Sequence, residues 1–384
     1  MRKIRDSRLW GGLSSLLFAM VVMMACDSDG GTDTETPPPA KPDPTDPVEP
    51  TPPDDEDDNG NGSSSIAELV SLEQYYELFP FRCGSEGAQS EGANQCGNED
   101  FYTYENFLKA AEAMAGIKVR IEQRDATYYI PPRIYRIDKN TGEEKLVSDP
   151  PEFNDEWVQT LPIVSTVVDY ATFAAEGSDA DRRRELAAFF ANIAQETTGG
   201  WATAPGGKYA WGLFYKEELG YYGSSHVGYA VPHKQYPPTE GKSYHGRGPI
   251  QLSYNYNYGQ VSEYLFGDKS VMLDNPERVS EDGAFAFQTA IWFWMTPQFP
   301  KPSCHQAMIP GIWTPSSADQ SVGRKQGFAL TIAIINGGVE CGGPNEKAQG
   351  RFKHFEVFAK ALNTSTGLDG GDDTDLDCRN IQPY

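Results

Sequence analysis

The stretch from Ala194 to Pro205 reads Ala-Gln-Glu-Thr-Thr-Gly-Gly-Trp-Ala-Thr-Ala-Pro, and the stretch from Tyr209 to Glu218 reads Tyr-Ala-Trp-Gly-Leu-Phe-Tyr-Lys-Glu-Glu. Glu196 and Glu218 therefore stand among aromatic residues and glycines. Hydrolysis of a sugar–sugar bond requires one carboxyl group that gives a proton to the leaving oxygen and a second that activates water. This pair of glutamates is the first candidate for catalysis in the chain.

The residues before Glu196 predict a long amphipathic helix. Ser178 or Asp179 can cap its N-terminus, and the pair Gly199-Gly200 is a signal for its end. Because Glu196 continues the apolar spacing, we expect its carboxyl group at the helix end under apolar cover, with the second glutamate on the following loop. The apolar stripe consists of Leu186, Phe189, Phe190 and Ile193.

The rest of the pattern contains several helices and few strands, so the predicted fold class is mainly α, within α+β. A β-like run over residues 128–137 is followed by a turn signal over 138–142, which predicts a hairpin. Further helices are predicted over residues 71–79, 104–115, 283–295, 325–335 and 351–362.

The first 26 residues are typical of an export signal. Arg2, Lys3, Arg5 and Arg8 precede an apolar run that ends at Cys26. A cysteine after a small residue at this point is typical of a bacterial lipoprotein, in which Cys26 would carry the lipid and bind the membrane. The alternative is an ordinary secretory signal. We therefore expect an exported protein, either lipid-anchored to the bacterial cell envelope, at the cell surface for instance, or secreted.

Residues 27–65 contain nine prolines and twelve acidic residues against one lysine. Such a composition cannot bury a core and predicts a disordered, extended tether. The tether carries about half of the net charge of −23. Nothing in this acidic balance suggests nucleic acid as a partner, because binding to nucleic acid requires basic patches. A second acidic stretch, over residues 369–377, lacks the spacing of a calcium loop and is expected to be a solvated tail.

Several blocks resemble the family 19 glycoside hydrolases known as chitinases, in the family's order and at close to its spacing. The resemblance extends over roughly residues 66–378, and it implies a catalytic domain over 66–384 with an insertion at about 120–160. It also implies a two-lobed, lysozyme-like fold with a long substrate groove. The blocks are Glu-Thr-Thr-Gly-Gly-Trp at 196–201, Lys-Glu-Glu at 216–218, Lys-Ser-Tyr-His-Gly-Arg-Gly-Pro-Ile-Gln-Leu-Ser-Tyr-Asn-Tyr-Asn-Tyr-Gly at 242–259, and the runs at 292–297, 301–305 and 335–341.

The resemblance assigns roles to the two glutamates. Glu196 matches the general acid, Glu218 matches the general base, and Ser253 matches a serine that holds the attacking water. The implied function is an endo-chitinase that hydrolyses β-1,4 N-acetylglucosamine linkages with inversion. Its partner would be chitin or chitin oligosaccharides, and it would use no cofactor or metal ion. The oligomeric state is open, with a monomer as the default expectation.

Further positions match family residues that contact substrate. For His245, Arg247 and Lys301, a hydrogen-bonded structural role is an alternative. Two departures from the family are Gln195, where a histidine is common, and Tyr236, where plant enzymes carry a tryptophan that packs on sugar rings. Glu340 and Arg351 match an ion network that reaches the general acid. The predicted substrate-binding set is Gln251, Tyr256, Asn257, Asn336, Tyr236, Trp201, His245, Arg247 and Lys301.

An exported protein can keep disulfide bonds. The family pattern implies the pair Cys341–Cys378, which would tie the C-terminal tail to the body of the domain. A second pair, Cys83–Cys96, would close a local loop, and Cys304 would remain unpaired and buried. No Cys/His cluster has the spacing of metal ligands.

Two other functions remain open. The first is a peptidoglycan-cleaving, lysozyme-like hydrolase of the same fold, because an envelope-anchored protein lies near that polymer. The second is a non-catalytic chitin-binding surface protein. Relatives without catalysis usually lose one of the two glutamates, whereas this chain keeps both.

Overall fold

A computed structural model describes residues 62–84, 92–94, 96, 100–126, 129–223, 225–371, 373 and 377–384, with side chains from residue 66 onward. All of them belong to a compact unit over residues 58–384. The predicted signal segment and nearly all of the predicted tether lie outside the described residues. The first helix begins at Gly62, so the last four residues of the predicted tether are helical.

Helices dominate the described part of the chain, which confirms the mainly α prediction. None of the described helices is both long and apolar enough to cross a membrane. The helices are α1 Gly62–Leu69, α2 Leu72–Leu78, α3 Tyr104–Ala115, α4 Asp179–Glu196, α5 Asn255–Phe266, α6 Ser270–Asp274, α7 Arg278–Glu281, α8 Gly283–Met295, α9 Cys304–Met308, α10 Ser317–Ser321, α11 Phe328–Glu340 and α12 Glu346–Ala361.

Helix α4 forms the centre of the core. Every residue from 184 to 194 is buried, so this helix is covered on all sides rather than along one stripe. Helix α12 packs along it, and α3 packs on α8. Ser178 caps α4 as predicted, because its hydroxyl accepts the amide hydrogen of Asp181 while the Asp181 carboxylate accepts the amide hydrogen of Ser178.

A four-stranded antiparallel sheet occupies much of the predicted insertion. Its strands are β1 Lys118–Arg124, β2 Arg133–Ile137, β3 Glu144–Ser148 and β4 Ile163–Asp169, in the order β3-β2-β1-β4. The β2–β3 pair is the predicted hairpin. Strand β4 lies at one edge of the sheet, and all of its residues except Val168 are partly or fully exposed.

Three local predictions differ from the structure. The spacing over residues 71–79 predicts one apolar helix face with Leu72, Tyr75, Tyr76 and Phe79. In the structure Leu72 is exposed, and the buried residues of α2 are Tyr75 and Leu78. The helix predicted over residues 325–335 runs instead from Phe328 to Glu340, with a kink at Asn336. The helix predicted to begin at residue 351 begins at Glu346, after the Asn345 cap.

Candidate active site

Glu196 is the last residue of α4 and meets an arginine from α12. Arg351 Nη2 donates to Glu196 Oε1 at 2.5 Å. The arginine side chain is almost fully buried, whereas 20% of the Glu196 side chain is exposed. The glutamate therefore has one side against a fixed cation and another side open to solvent or a ligand.

A second carboxylate, Glu340, fixes that arginine. Arg351 donates to both oxygens of Glu340 at 2.8 and 2.9 Å, and its Nη1 reaches Asn192 Oδ1 at 3.2 Å. Burial alone would lower the pKa of Arg351, but the carboxylates of Glu196 and Glu340 raise it above its usual value. Burial alone would raise the pKa of Glu340, but its hydrogen bonds to Arg351 hold it below the usual value. The structure thus brings together the predicted ion network.

Asn336 supports this network rather than standing apart from it. Its Nδ2 donates to Glu340 Oε1 at 2.8 Å, and its non-helical backbone makes the kink in α11. The side-chain amide of Asn336, which the sequence predicts to contact substrate, is therefore already hydrogen-bonded to Glu340. Gln195, one of the departures from the family, packs its amide against Gly350, where an added Cβ would lie 2.0 Å from Gln195 Oε1.

The segment after Glu196 is bound to the segment that leads to the second glutamate. The Thr197 carbonyl accepts the backbone amides of Phe214 and Tyr215 at 3.2 and 2.9 Å, and the Thr197 hydroxyl oxygen accepts that of Leu213 at 2.8 Å. These bonds fix the course of the chain from the end of α4 to residues 216–218. The two glutamates are therefore held by one continuous hydrogen-bonded strip.

Glu218 accepts a hydrogen bond on each carboxylate oxygen. Tyr229 donates its hydroxyl to Oε1 at 2.7 Å, and the amide of Gly246 donates to Oε2 at 3.1 Å. Burial and the adjacent Glu218 carboxylate raise the pKa of Tyr229, so that its hydroxyl stays protonated and remains a donor. The Glu218 amide in turn donates to the carbonyl of Gly246 at 2.9 Å. Nothing in the sequence pattern points to Tyr229.

Ser253 and Gln251 lie close to the backbone of Gly246, the residue whose amide donates to Glu218. An added Cβ on Gly246 would lie 2.8 Å from Gln251 Oε1 and 3.3 Å from Ser253 Oγ, so both side chains lie close to the residue that binds Glu218. Ser253 Oγ donates to the carbonyl of Gln251 at 2.9 Å, and Asn257 Nδ2 donates to the carbonyl of Ser253 at 2.8 Å. Gln251 has a φ of 49°, a strained conformation that keeps this turn tight.

His245 and Arg247 lie beneath the site rather than on its surface. Both are almost fully buried near Glu217, with the Arg247 Nε 3.5 Å from Glu217 Oε1. Glu217 also accepts a hydrogen bond from the Ser280 hydroxyl. Burial, with help from Arg247, lowers the pKa of His245 to about 3, so the ring is neutral at neutral pH. This placement favours the structural alternative for both residues, and it gives neighbouring Glu217 a supporting role that the sequence pattern does not reveal.

The aromatic predictions divide into exposed and buried residues. Trp201 is 44% exposed and lies on the fully buried Trp211, with 5.0 Å between ring centroids. Tyr256 is partly buried and stacks on Tyr254 at 5.2 Å. The prediction that Tyr236 offers a stacking surface is wrong, because its ring is fully buried and its hydroxyl donates to Glu263 Oε2 at 2.6 Å.

The other predicted residues are placed as follows. Lys301 is partly buried and its Nζ donates to the carbonyl of Ile334 at 3.2 Å, close along the chain to Asn336. The pairs Cys83–Cys96 and Cys341–Cys378 form disulfide bonds, and Cys304 is free and buried, which confirms the cysteine predictions. Cys26 lies outside the described residues.

Among the described residues, one group of potential metal ligands comes close enough together, namely Cys83, Cys96 and Asp100. Its two sulfur atoms are joined in a disulfide bond, so they are not thiolate ligands. The group is also distinct from Glu196 and Glu218.

A helical domain that holds two glutamates on separate segments, each with its own hydrogen-bond donors, is typical of glycoside hydrolases that use acid–base chemistry. The glycoside hydrolase family 19 model, described as chitinase class I, matches residues 159–378, which is more than half of the chain. The chain therefore belongs to the family 19 chitinases, as the resemblance implied, and the lysozyme-like fold class follows from that membership.

Two plant sequences agree with this assignment. Over 223 residues the chain is 46% identical to Chitinase 9 of Oryza sativa subsp. japonica, and the match covers 58% of this chain and 63% of that protein. Over 213 residues it is 48% identical to Basic endochitinase of Vitis vinifera, and the match covers 55% and 63%. The chain thus spans less than two-thirds of either relative. Among solved structures, chitinase C from Streptomyces griseus HUT6037 is 26% identical, with 82% of this chain and 99% of that chain covered and a TM-score of 0.47.

Proposed function

We propose that this protein is an endo-chitinase that hydrolyses β-1,4 linkages between N-acetylglucosamine units. The observation that carries the proposal is the pair of differently held glutamates. Glu196 faces a buried arginine whose charge is shared with Glu340, and Glu218 is oriented by a phenol and a backbone amide. Family membership supports the choice of chitin, as do the names of the related plant proteins.

The chemistry we assign is inversion in a single displacement. Protonated Glu196 gives its proton to the glycosidic oxygen as the bond from that oxygen to C1 breaks. Glu218 removes a proton from a water molecule whose oxygen bonds to C1 from the opposite face. Ser253, whose hydroxyl lies beside Gly246, would orient this water together with the Glu218 carboxylate. The product leaves as the α-anomer, and Glu218 returns its proton to Glu196 through solvent.

The test is proton NMR of N-acetylglucosamine hexamer during digestion by the wild type, by Glu196→Gln and by Glu112→Gln. Glu112 is an exposed glutamate on α3 and serves as the matched control. We expect fresh α-anomer from the wild type and the control, and a rate about 10²–10⁴-fold lower from Glu196→Gln. Fresh β-anomer would contradict inversion, and full activity of Glu196→Gln would contradict its role as the acid.

If no chitin oligomer is cleaved, purified peptidoglycan is the next substrate, because an envelope-anchored hydrolase would meet that polymer first. We further propose that the chain is exported and lipid-anchored through Cys26, with residues 27–65 as the tether. Metabolic labelling with a radioactive fatty acid would detect the lipid. A Cys26→Ser variant that carries the same label would contradict the anchor.

A further inference from the structure

A pocket of about 250 Å³ lies beside the sheet of the predicted insertion, and neither Glu196 nor Glu218 lines it. One wall is the face of strands β1 and β4. The segment over residues 297–302, Trp313 and the α5 residues Gln260 and Tyr264 also line the pocket, together with Tyr129, Pro132 and Gln306. The volume is somewhat below the 300–1,000 Å³ usual for drug-sized ligands, so the pocket suits a single small ring.

The strand register explains why this face is a wall. Ile121 pairs with Thr166, and Gln123 pairs with Val164. Since side chains alternate along a strand, these four project from the same face of the sheet. Gln123 is fixed there, because its Nε2 donates to the carbonyl of Ile130 at 2.6 Å.

The lining has the chemistry of a neutral saccharide site. Tyr129 is 52% exposed, and both Tyr129 and Trp313 line the pocket, so aromatic rings are available to the apolar faces of a sugar. Gln298 lines the pocket, and its buried Nε2 has no hydrogen-bond partner within the described part of the chain, which leaves an unmet donor there. Among the described lining residues none is acidic, and the one cation, Lys301, already donates to the carbonyl of Ile334.

The pocket adjoins elements that carry predicted substrate contacts. Gln260 follows Tyr256 by one turn of α5, so the two side chains lie on the same face of that helix. Lys301 belongs to the pocket and bonds to α11, the helix of Asn336 and Glu340. A chain held near Tyr256 would therefore meet Gln260 and the pocket as it continues along α5.

The pocket is partly made from sequence outside the family match. That match begins at residue 159, whereas β1 and Tyr129 precede it. The pocket therefore combines residues of the matched region with residues that precede it.

We infer that this pocket is an additional subsite that binds one N-acetylhexosamine unit of an oligosaccharide extending from the cleavage site. Aromatic side chains would contact the sugar ring, and the Gln298 amide would donate to a hydroxyl or acetamido oxygen. The inference rests on the proposed function, since it takes its ligand from the same polymer. It makes the enzyme prefer longer oligomers.

The test measures binding of N-acetylglucosamine hexamer and trimer by calorimetry, in the full chain carrying Glu218→Gln so that turnover is blocked. Trp313→Ala and Gln298→Ala are each added to this parent. Leu146→Ala is the matched control, because Leu146 is an exposed residue on β3 of the same sheet and does not line the pocket. We expect Trp313→Ala to weaken hexamer binding about tenfold and to leave trimer binding unchanged.

Gln298→Ala removes the donor without removing an aromatic ring and should weaken hexamer binding in the same direction, with an unchanged melting temperature. Hexamer affinity unchanged in both variants would overturn the subsite, as would equal losses for trimer and hexamer. If the two variants lose hexamer affinity but the wild type cleaves no chitin, the subsite is supported and the proposed hydrolysis is rejected. A parent that binds no hexamer would reject the subsite even if the wild type cleaves chitin.

Discussion

Glu218 is held more tightly than a surface carboxylate, because Tyr229 and the Gly246 amide each bind one of its oxygens. The two donors fix the plane of the carboxylate, which sets the direction from which it can accept a proton. Glu196 is fixed differently, through a cation that is shared with Glu340. The two carboxylates thus have different hydrogen-bond partners, which fits the two different roles proposed for them.

Tyr229→Phe should lower kcat by about tenfold with little change in KM, because it removes one positioning hydrogen bond and leaves the ring packing intact. Steady-state kinetics on N-acetylglucosamine hexamer would measure this effect. Tyr222→Phe, at an exposed tyrosine, is the control and should behave as the wild type. A rise in KM with unchanged kcat would mean that Tyr229 binds substrate rather than positioning Glu218.

The buried histidine His354 should make the free energy of unfolding depend on pH. His354 is buried on α12, and its ring nitrogens have no hydrogen-bond partner among the described residues. Burial together with Arg351 and Lys208 lowers its pKa to about 3. The unfolded chain binds a proton near pH 6.5, whereas the folded chain does so only near pH 3. The neutral ring's contribution to stability is therefore complete above the unfolded pKa and is lost as the pH falls towards the folded pKa.

His354→Phe should remove this loss, since phenylalanine cannot take up a proton. Between pH 7 and pH 4 its free energy of unfolding should fall less than that of the wild type, by an amount on the order of 3 kcal/mol. Urea unfolding at the two pH values measures the difference. The exposed His226→Phe is the control, and equal losses in the wild type and His354→Phe would contradict the argument.

Several residue roles follow from sequence blocks, and others do not. Glu196, Glu340 and Arg351 are predictable as a network because each lies in or near a block of the family, and the structure brings them together. Tyr229 lies between blocks, so its bond to Glu218 depends on a loop course that no periodicity reveals. The prediction for Tyr236 fails because its match to a family tryptophan carries no information on burial. The Tyr236 ring is buried, and its hydroxyl donates to the buried Glu263.

At the scale of elements, long helices are predictable because their apolar spacing and caps are local. Helix α8 has the predicted bounds Gly283–Met295, and α4 has its predicted cap and ends three residues before Gly199. The sequence predicts that α11 ends near Asn336, since Asn-Gly-Gly is a stop signal. Here the helix resumes after a kink at Asn336 and places Glu340 beneath Arg351, a tertiary requirement that overrides the local signal.

The contact between α4 and α12 gives a prediction at Gly350. An alanine there gains about 1 kcal/mol of helix propensity but places its Cβ 2.0 Å from Gln195 Oε1. Gly350→Ala alone should therefore be neutral or destabilising, whereas in a Gln195→Ala background it should stabilise by about 1 kcal/mol. Urea unfolding of the four proteins gives the coupling energy.

Gly338→Ala is the matched control for this cycle. Gly338 also lies in a helix, and among the described residues an added Cβ would meet nothing within 4 Å apart from its chain neighbours and the nearby backbone of its own helix. Its stabilising effect should be the same whether Gln195 is present or has been replaced by alanine. If the effects of Gly350→Ala and Gln195→Ala were also additive, the Gln195 side chain would move away from the added methyl group at no cost in free energy.

At the scale of the whole described domain, two disulfide bonds constrain stretches of chain of different length. Cys341–Cys378 joins residues 37 positions apart, and Cys83–Cys96 joins residues 13 positions apart. The longer bond fixes the C-terminal tail directly after Glu340, and the Gly342 amide donates to the carbonyl of Cys378 beside it. The pairings are predictable from the family pattern and local spacing, whereas the pocket against the inserted sheet depends on strand register and is not.

Replacing Cys341 and Cys378 together by serine should lower the free energy of unfolding by about 2–4 kcal/mol. Replacing Cys83 and Cys96 together should cost about 1 kcal/mol less, because the entropy of closing a loop grows with the logarithm of its length. Each serine pair is the control for the other, and urea unfolding of both measures the difference. A larger loss for the Cys83–Cys96 pair would mean that native contacts around the short loop, rather than restriction of the unfolded chain, govern its contribution. Replacing Cys341 and Cys378 should also lower kcat more than replacing Cys83 and Cys96. A loosened C-terminal tail would free residue 341, which follows Glu340 directly. The Glu340 carboxylate would then fix Arg351 against Glu196 less firmly.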